Sequence, residues 1–273
     1  TGDHAPDVEH VRTTLVENLT DHGPARADLI IDAAALVFSP VGPIAYAVTR
    51  HERPARILRI YLHDLHAETL CTLKGAVGAR AMVAVGELLF VGTYWSGRLF
   101  VVDGRTGEML RIVDVPGAKE VKALAYKAGK LYLGTQPTGK VYEYNIEQDI
   151  LRDLGEIEPG TFAVRSLAVD RSGAIIAGTG TAVPKLVRLD PRTLNRVELL
   201  GSDLAGESYV YSVVVSGGKI FAGTSPRGRF IILDAMTHRL EAVFETGEHT
   251  ITNIWPSDTN HKIYFAGQPS GSL

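Results

Sequence analysis

Three basic residues recur at nearly equal intervals, Arg80, Lys122 and Arg165, separated by 42 and 43 positions. Like charges at equivalent points of a repeating structure converge, and they repel one another unless an anion, a carboxylate partner or water compensates. The chemistry on offer is therefore anion capture, and a guanidinium suits a carboxylate because its planar fork bonds both oxygens at once. Tyr211 and Thr252 occupy the next two equivalent positions, and Ala34 is the expected counterpart in the first unit. A second chemistry follows from the same residue types. Cations that neutralise a carboxylate acidify its α-proton, and a Tyr or His that removes the proton opens the way to β-elimination of a neighbouring oxygen. On that reading Arg80, Lys122, Arg165, Tyr94, Trp95, Tyr209 and Arg227 bind a ligand, and Tyr211, His51 and His249 handle the proton. Two plainer readings stand beside it: the cations pair with local acids such as Glu120 and Glu207, and Tyr94-Trp95 plugs a gap between structural units.

An internal repeat defines the elements that must position these residues. Gly92-Thr93, Gly134-Thr135, Gly178-Thr179 and Gly223-Thr224 each end an apolar run; Gly267-Gln268 varies the pattern, and Thr49 is a degenerate earlier member. Successive second positions are 44, 42, 44, 45 and 44 residues apart, a period that marks an array of supersecondary units. Each unit has the same internal order. In the third, residues 121–126 lead to a turn at Ala128-Gly129, then come 130–135, a loop at 136–139, 140–145 and a short apolar segment at 150–154. Four short segments joined by turns predict four antiparallel strands, A to D, and hence an all-β chain of β-propeller blades. Arg171-Ser172-Gly173 and Ser216-Gly217-Gly218 supply residues tolerant of positive φ between strands A and B. Asp103, Asn145, Asp190 and Asp234 close strand C, where such side chains bond their own backbone two residues on and need no catalytic role.

The run from Gly92 to Gly107 carries a Gly-Thr pair, a loop glycine and a closing Asp-x-x-Thr-Gly, and it resembles the repeats of pyrroloquinoline-quinone-like and related propellers. The resemblance spans residues 33–273 and implies the fold. Nothing marks a quinone site, so the cofactor is left unknown, and the Gly-His and Trp-Asp signatures of WD40 blades are missing. Some polysaccharide lyases share the architecture, which links it to the β-elimination chemistry above. Because D-to-A and B-to-C connections of a propeller lie on one face, the repeat places the candidate residues around one mouth of the central channel.

Units beginning near residues 33, 80, 122, 165, 211 and 252 give five blades and a partial sixth over 33–273, with 1–32 a separate N-terminal segment. Residues 10–19 read as an outer strand D that closes the ring. A complete ring of seven blades, or of six, is expected, with the present chain ending inside a blade and a further chain or segment completing the circle.

Composition excludes several classes. With 45% hydrophobic residues, 28 glycines and 13 prolines the chain suits many short strands around a large core. A formal charge of −3 without a polybasic block argues against nucleic acid. No stretch reaches the roughly 20 apolar residues of a membrane span, and residues 1–30 lack a signal-peptide layout. Cys71 is alone and forms no intrachain disulfide, and no metal site is expected. Together these observations point to an extracytoplasmic or secreted propeller that binds an anionic glycan or small molecule. An enzymatic version acts as a carbon–oxygen lyase on uronic-acid polymers, and the alternative is a non-catalytic protein-interaction propeller.

Overall fold

The computed structural model describes residues 31–40, 42–180, 183–257 and 262–268; the proposed closing strand at 10–19 and the end of the chain after Gln268 lie outside them. The first sheet comprises β1 (Ile31–Ser39), β2 (Gly42–Thr49), β3 (Ala55–Tyr61) and β4 (His66–Leu73). The second holds β5 (Ala79–Val85), β6 (Leu88–Thr93), β7 (Arg98–Asp103) and β8 (Met109–Asp114). In the third are β9 (Glu120–Lys127), β10 (Lys130–Gln136), β11 (Lys140–Asn145) and β12 (Ile150–Glu156). The fourth contains β13 (Ala163–Val169), β14 (Ile175–Gly180), β15 (Leu186–Leu189) and β16 (Arg196–Leu200). The fifth contains β17 (Tyr209–Ser216), β18 (Lys219–Ser225), β19 (Arg229–Asp234) and β20 (Leu240–Glu245), and β21 (Thr250–Pro256) pairs with β22 (Ile263–Gln268) in a sixth. Each sheet is an antiparallel meander in chain order. The chain is a β-propeller, with the inner strands β1, β5, β9, β13, β17 and β21 packed in succession.

Hydrophobic cores lie between consecutive blades, because alternation along each strand sends apolar side chains to both sheet faces. On β6, Leu89 and Val91 face the first blade while Phe90 joins Leu131 and Tyr142 of the third. Ile175 and Ala177 likewise face the third blade, and Ile176 faces Val210 and Ile220 of the fifth. On the first blade Ala33, Ala35 and Val37 pack toward the second, and the alternate residues Leu36 and Phe38 stand 52% and 81% exposed on the other face.

The Gly-Thr pair has two structural duties. A Cβ on Gly134 would meet Val164 Cγ1 of the next blade at 2.7 Å, and one on Gly223 would meet Ile251 at 2.5 Å. The glycine therefore lets the following inner strand approach closely. The threonine closes the B-to-C loop. Thr135 Oγ1 donates to the Lys140 carbonyl at 2.9 Å and accepts its amide at 3.2 Å. Thr49, Thr93, Thr179 and Thr224 accept the equivalent amides of Arg56, Arg98, Lys185 and Arg229, so Thr49 is a member of the repeat by hydrogen bonding as well as by position. The strand C acids act as turn formers. Asp103, Asp190 and Asp234 each accept two following backbone amides.

Every inner strand also carries a one-residue bulge near its start. The residues left over in the pairing register are Asp32, Arg80, Lys122, Arg165, Tyr211 and Thr252. A bulge breaks the two-residue alternation and re-aims the extra side chain, which explains why these positions form a set. The first blade corrects the sequence reading: Ala34 pairs regularly with Ala47, and Asp32 is the bulge residue. The degenerate Val48-Thr49 pair hid that register.

The Gly134 contact is testable. Gly134→Ala should destabilise the protein by about 1–3 kcal/mol through overpacking. In combination with Val164→Ala, which makes room for the new methyl, the total loss should fall at least about 0.5 kcal/mol short of the summed single losses, as measured by urea unfolding.

Candidate functional site

On the face formed by B-to-C and D-to-A loops, a cavity of about 610 Å³ opens at the channel mouth. Its charged lining comes from three consecutive blades: Arg80 from β5, Glu120 and Lys122 from β9, and Arg165 from β13. Phe162, Tyr209 and Gln136 supply apolar and amide surface. Two backbone bridges tie neighbouring blades together here, Tyr94 with Glu120 and Gly180 with Tyr209.

The cations are not equivalent electrostatically. Glu120 is nearly buried and its Oε2 lies 2.9 Å from Lys122 Nζ and 3.2 Å from Arg80 Nε. Burial opposes ionisation of Glu120, but the Lys122 hydrogen bond and charge together with Arg80 outweigh it and hold the carboxyl below its ordinary range. Burial lowers Lys122 below its ordinary value against the hydrogen bond that it donates to Glu120, and the positive fields of Arg165 and Arg80 add to the lowering. Arg165 has no carboxylate within ion-pair distance among the described residues. Its guanidinium lies over two rings instead, 3.9 Å from the Tyr211 centroid and 5.9 Å from that of Tyr209. Arg80 is similarly backed by Tyr94 at 4.6 Å. Two of the three cations thus share one carboxylate in a partly desolvated mouth, and the third has none.

Of the two acids named as alternative partners, Glu120 does neutralise part of the cluster. Glu207 does not: its Oε1 lies 3.2 Å from Arg229 and its Oε2 accepts the Arg227 amide at 3.1 Å. Arg227 itself points to the rim, with Nη2 3.5 Å from Glu245, and it does not line the cavity. Tyr94 is 3% exposed and donates its hydroxyl to the Val77 carbonyl at 3.1 Å, so it fills the space between blades and supports Arg80. Trp95, at φ 64° and 71% exposed, stands outside the cavity with its ring edge-on to Tyr94.

The residues assigned to proton transfer are dispersed. His51 and His249 are exposed and do not line the cavity; their backbone amides donate to the carbonyls of Val77 and Gln268. Tyr211 lies beneath Arg165 and also stays out of the lining. Phe162 escaped the sequence reading although it is 53% exposed at the mouth. The available signal was its place, a large apolar residue in the last loop position before an inner strand. Among the described residues no cluster of His, Cys, Asp and Glu is suited to a metal. Burial pushes the Cys71 thiol up to about 11, the opposite of what a reactive thiolate requires.

No protein-family model matches this chain, and no curated protein matches it significantly by sequence. Its fold is similar to that of solved structures. A chain in the crystal structure of the mitotic checkpoint complex aligns with a TM-score of 0.71 at 14% identity, covering 88% of this chain and 72% of that one. The computationally designed protein Ika8 aligns with a TM-score of 0.63 at 19% identity over 89% and 69% of the two chains. A chain of a nidogen/laminin complex aligns with a TM-score of 0.60 at 16% identity over 80% and 81%. These likenesses define the class as a β-propeller. No helix among the described residues is long and apolar enough to cross a membrane.

Glu120→Gln tests the electrostatics. The change leaves two cations without their partner and should lower stability by about 1–3 kcal/mol at neutral pH. Because the folded carboxyl titrates below its unfolded value, its contribution is present above the ordinary carboxyl range and is lost as pH falls through the lowered folded value. Urea midpoints of the Gln variant should therefore depend less on pH across the acid limb than those of the parent.

Proposed function

We propose that this chain is a binding propeller whose loop-bearing mouth holds a carboxylate group of an anionic glycan or small molecule. The observation that carries the reading is the charge imbalance: Arg80, Lys122 and Arg165 converge on a concave site with Glu120 as the carboxylate among them, and Arg165 has no acidic partner among the described residues. Burial is the main cause that lowers Lys122, and a ligand carboxylate on Arg165 would relieve the repulsion that adds to it; the binding energy comes from charge-assisted hydrogen bonds in a partly desolvated site. Phe162 and Tyr209 offer flat apolar surface beside it for a sugar face or hydrocarbon. Tyr211 supports this role by fixing the guanidinium from behind.

Binding without chemistry is the better-supported form. β-Elimination needs a base beside the captured carboxylate; Tyr211, His51 and His249, the residues assigned to it, lie outside the cavity lining, and the tyrosine of the lining is Tyr209, assigned to ligand binding. A second reading, in which the carboxylate belongs to an acidic side chain of a protein partner, is favoured by the exposed indole of Trp95 beside this mouth. The exposed Leu36 and Phe38 on the first blade suit a further sheet, from this or another chain, continuing the inter-blade packing.

Calorimetric titration with glucuronate, galacturonate and oligouronides should show binding that weakens with salt. It should fall about tenfold or more, ~1.4 kcal/mol, in Arg165→Gln. Absence of binding by every carboxylate ligand at millimolar concentration would overturn the proposal. The lyase form is checked separately by incubating the protein with uronic-acid polymers and following the ultraviolet absorbance of unsaturated products; none is expected.

A further inference from the structure

The opposite mouth of the channel carries a second concentration of uncompensated charge. A cavity of about 800 Å³ opens there between the A-to-B turns of the fourth and fifth blades, reaching the end of β9 and the C-to-D turn of the fifth blade. Lys127, Arg171, Arg188 and Lys219 line it, with Asp170 and Asp234 as the carboxylates of its wall.

Both acids are already committed. Asp170 accepts the Ser172 hydroxyl at 2.6 Å and the Ala174 amide at 3.0 Å, and lies 3.4 Å from Arg188. Asp234 caps its own turn and lies 3.2 Å from Lys219. Lys127 is bonded to the Asp170 carbonyl at 2.5 Å, and no carboxylate lies within ion-pair distance of it among the described residues. Arg171 is exposed on the adjoining turn, also without a carboxylate partner among the described residues. A carbonyl orients Lys127 without neutralising it, so two cations from neighbouring blades face the same space.

The remaining wall is of different character. Val169 and Val215 close it near the axis, and Met236 stands 86% exposed at its outer edge. Between them the Gly217-Gly218 turn, at φ 57° and 79°, presents backbone without side chains, leaving room for a ligand to lie close. Methionine adapts its shape to an apolar partner more readily than a branched side chain does.

From this combination we infer a second ligand site, for a small amphipathic anion whose carboxylate or phosphate head sits between Lys127 and Arg171 and whose hydrocarbon body lies along Val215 and Met236. It is separate from the first site. Lys122 and Lys127 are five residues apart on β9, on the order of 17 Å at the rise of an extended strand.

Octanoate and octyl phosphate are suitable probes by titration calorimetry, with octanol and inorganic phosphate as controls lacking the head and the body respectively. Either alkyl anion should bind, and the better of the two identifies the head group. Octanol and inorganic phosphate should each bind at least tenfold more weakly. The titrations are run in Arg165→Gln, which removes the carboxylate site of the other mouth. Adding Lys127→Gln, which keeps a donor for the Asp170 carbonyl, or Arg171→Gln, on an exposed turn, should weaken binding about tenfold. The inference is overturned if neither alkyl anion binds that variant at millimolar concentration, if inorganic phosphate binds as tightly as octyl phosphate, or if neither added substitution weakens binding.

Discussion

Everything in this propeller depends on how closely one blade approaches the next. Strand B of the second to fifth blades presents a glycine where the following inner strand presses a β-branched side chain, as at Gly134 and Val164 or Gly223 and Ile251. That contact sets the wedge angle between sheets, and the apolar faces on either side fill the wedge. The neighbouring threonine fastens the loop that leaves the same strand. One dipeptide thus couples core packing to the shape of the mouth, because the loop it fastens lies on the face where the cavity opens.

This coupling is why so much of the fold was legible in the sequence. Glycine and threonine are required at those points by sterics and by hydrogen bonding, so their spacing survives where other residues vary. The strand C acids could be read as turn formers for the same reason, since Asp103 and Asp234 answer a local need of the backbone. The register of the first blade was not legible. Val48 replaces the glycine there, and without that mark nothing in the sequence distinguishes Asp32 from Ala34 as the bulge residue.

The candidate site was legible in part. Equivalent repeat positions grouped Arg80, Lys122 and Arg165, and all three line one cavity. Repeat position does not report the direction of a long side chain, and so it could not show that Glu120 would bridge two of the cations while Arg165 stacks on Tyr211. Nor could it separate the buried Tyr94 from the exposed Trp95 next to it, a difference of one residue at the end of a strand. Loop residues such as His51, His249 and Arg227 share the face by topology, yet they do not line the cavity. The cations of the other mouth were hidden for another reason: Lys127 ends a strand and Arg171 opens a turn, places where a polar residue is explained by the chain reversal beside it.

The bulges give this architecture a property that regular strands lack. In an unbroken strand side chains alternate between the face packed on the preceding blade and the face packed on the following one, and exchanging either disturbs that packing. The residue left over at a bulge belongs to neither series. Arg80, Lys122, Arg165, Tyr211 and Thr252 therefore act as independent slots, one in each of the second to sixth blades. Base, phenol and hydroxyl occupy those slots within a single chain. Ligand preference can consequently be rewritten one blade at a time while the wedge contacts that hold the blades together stay as they are.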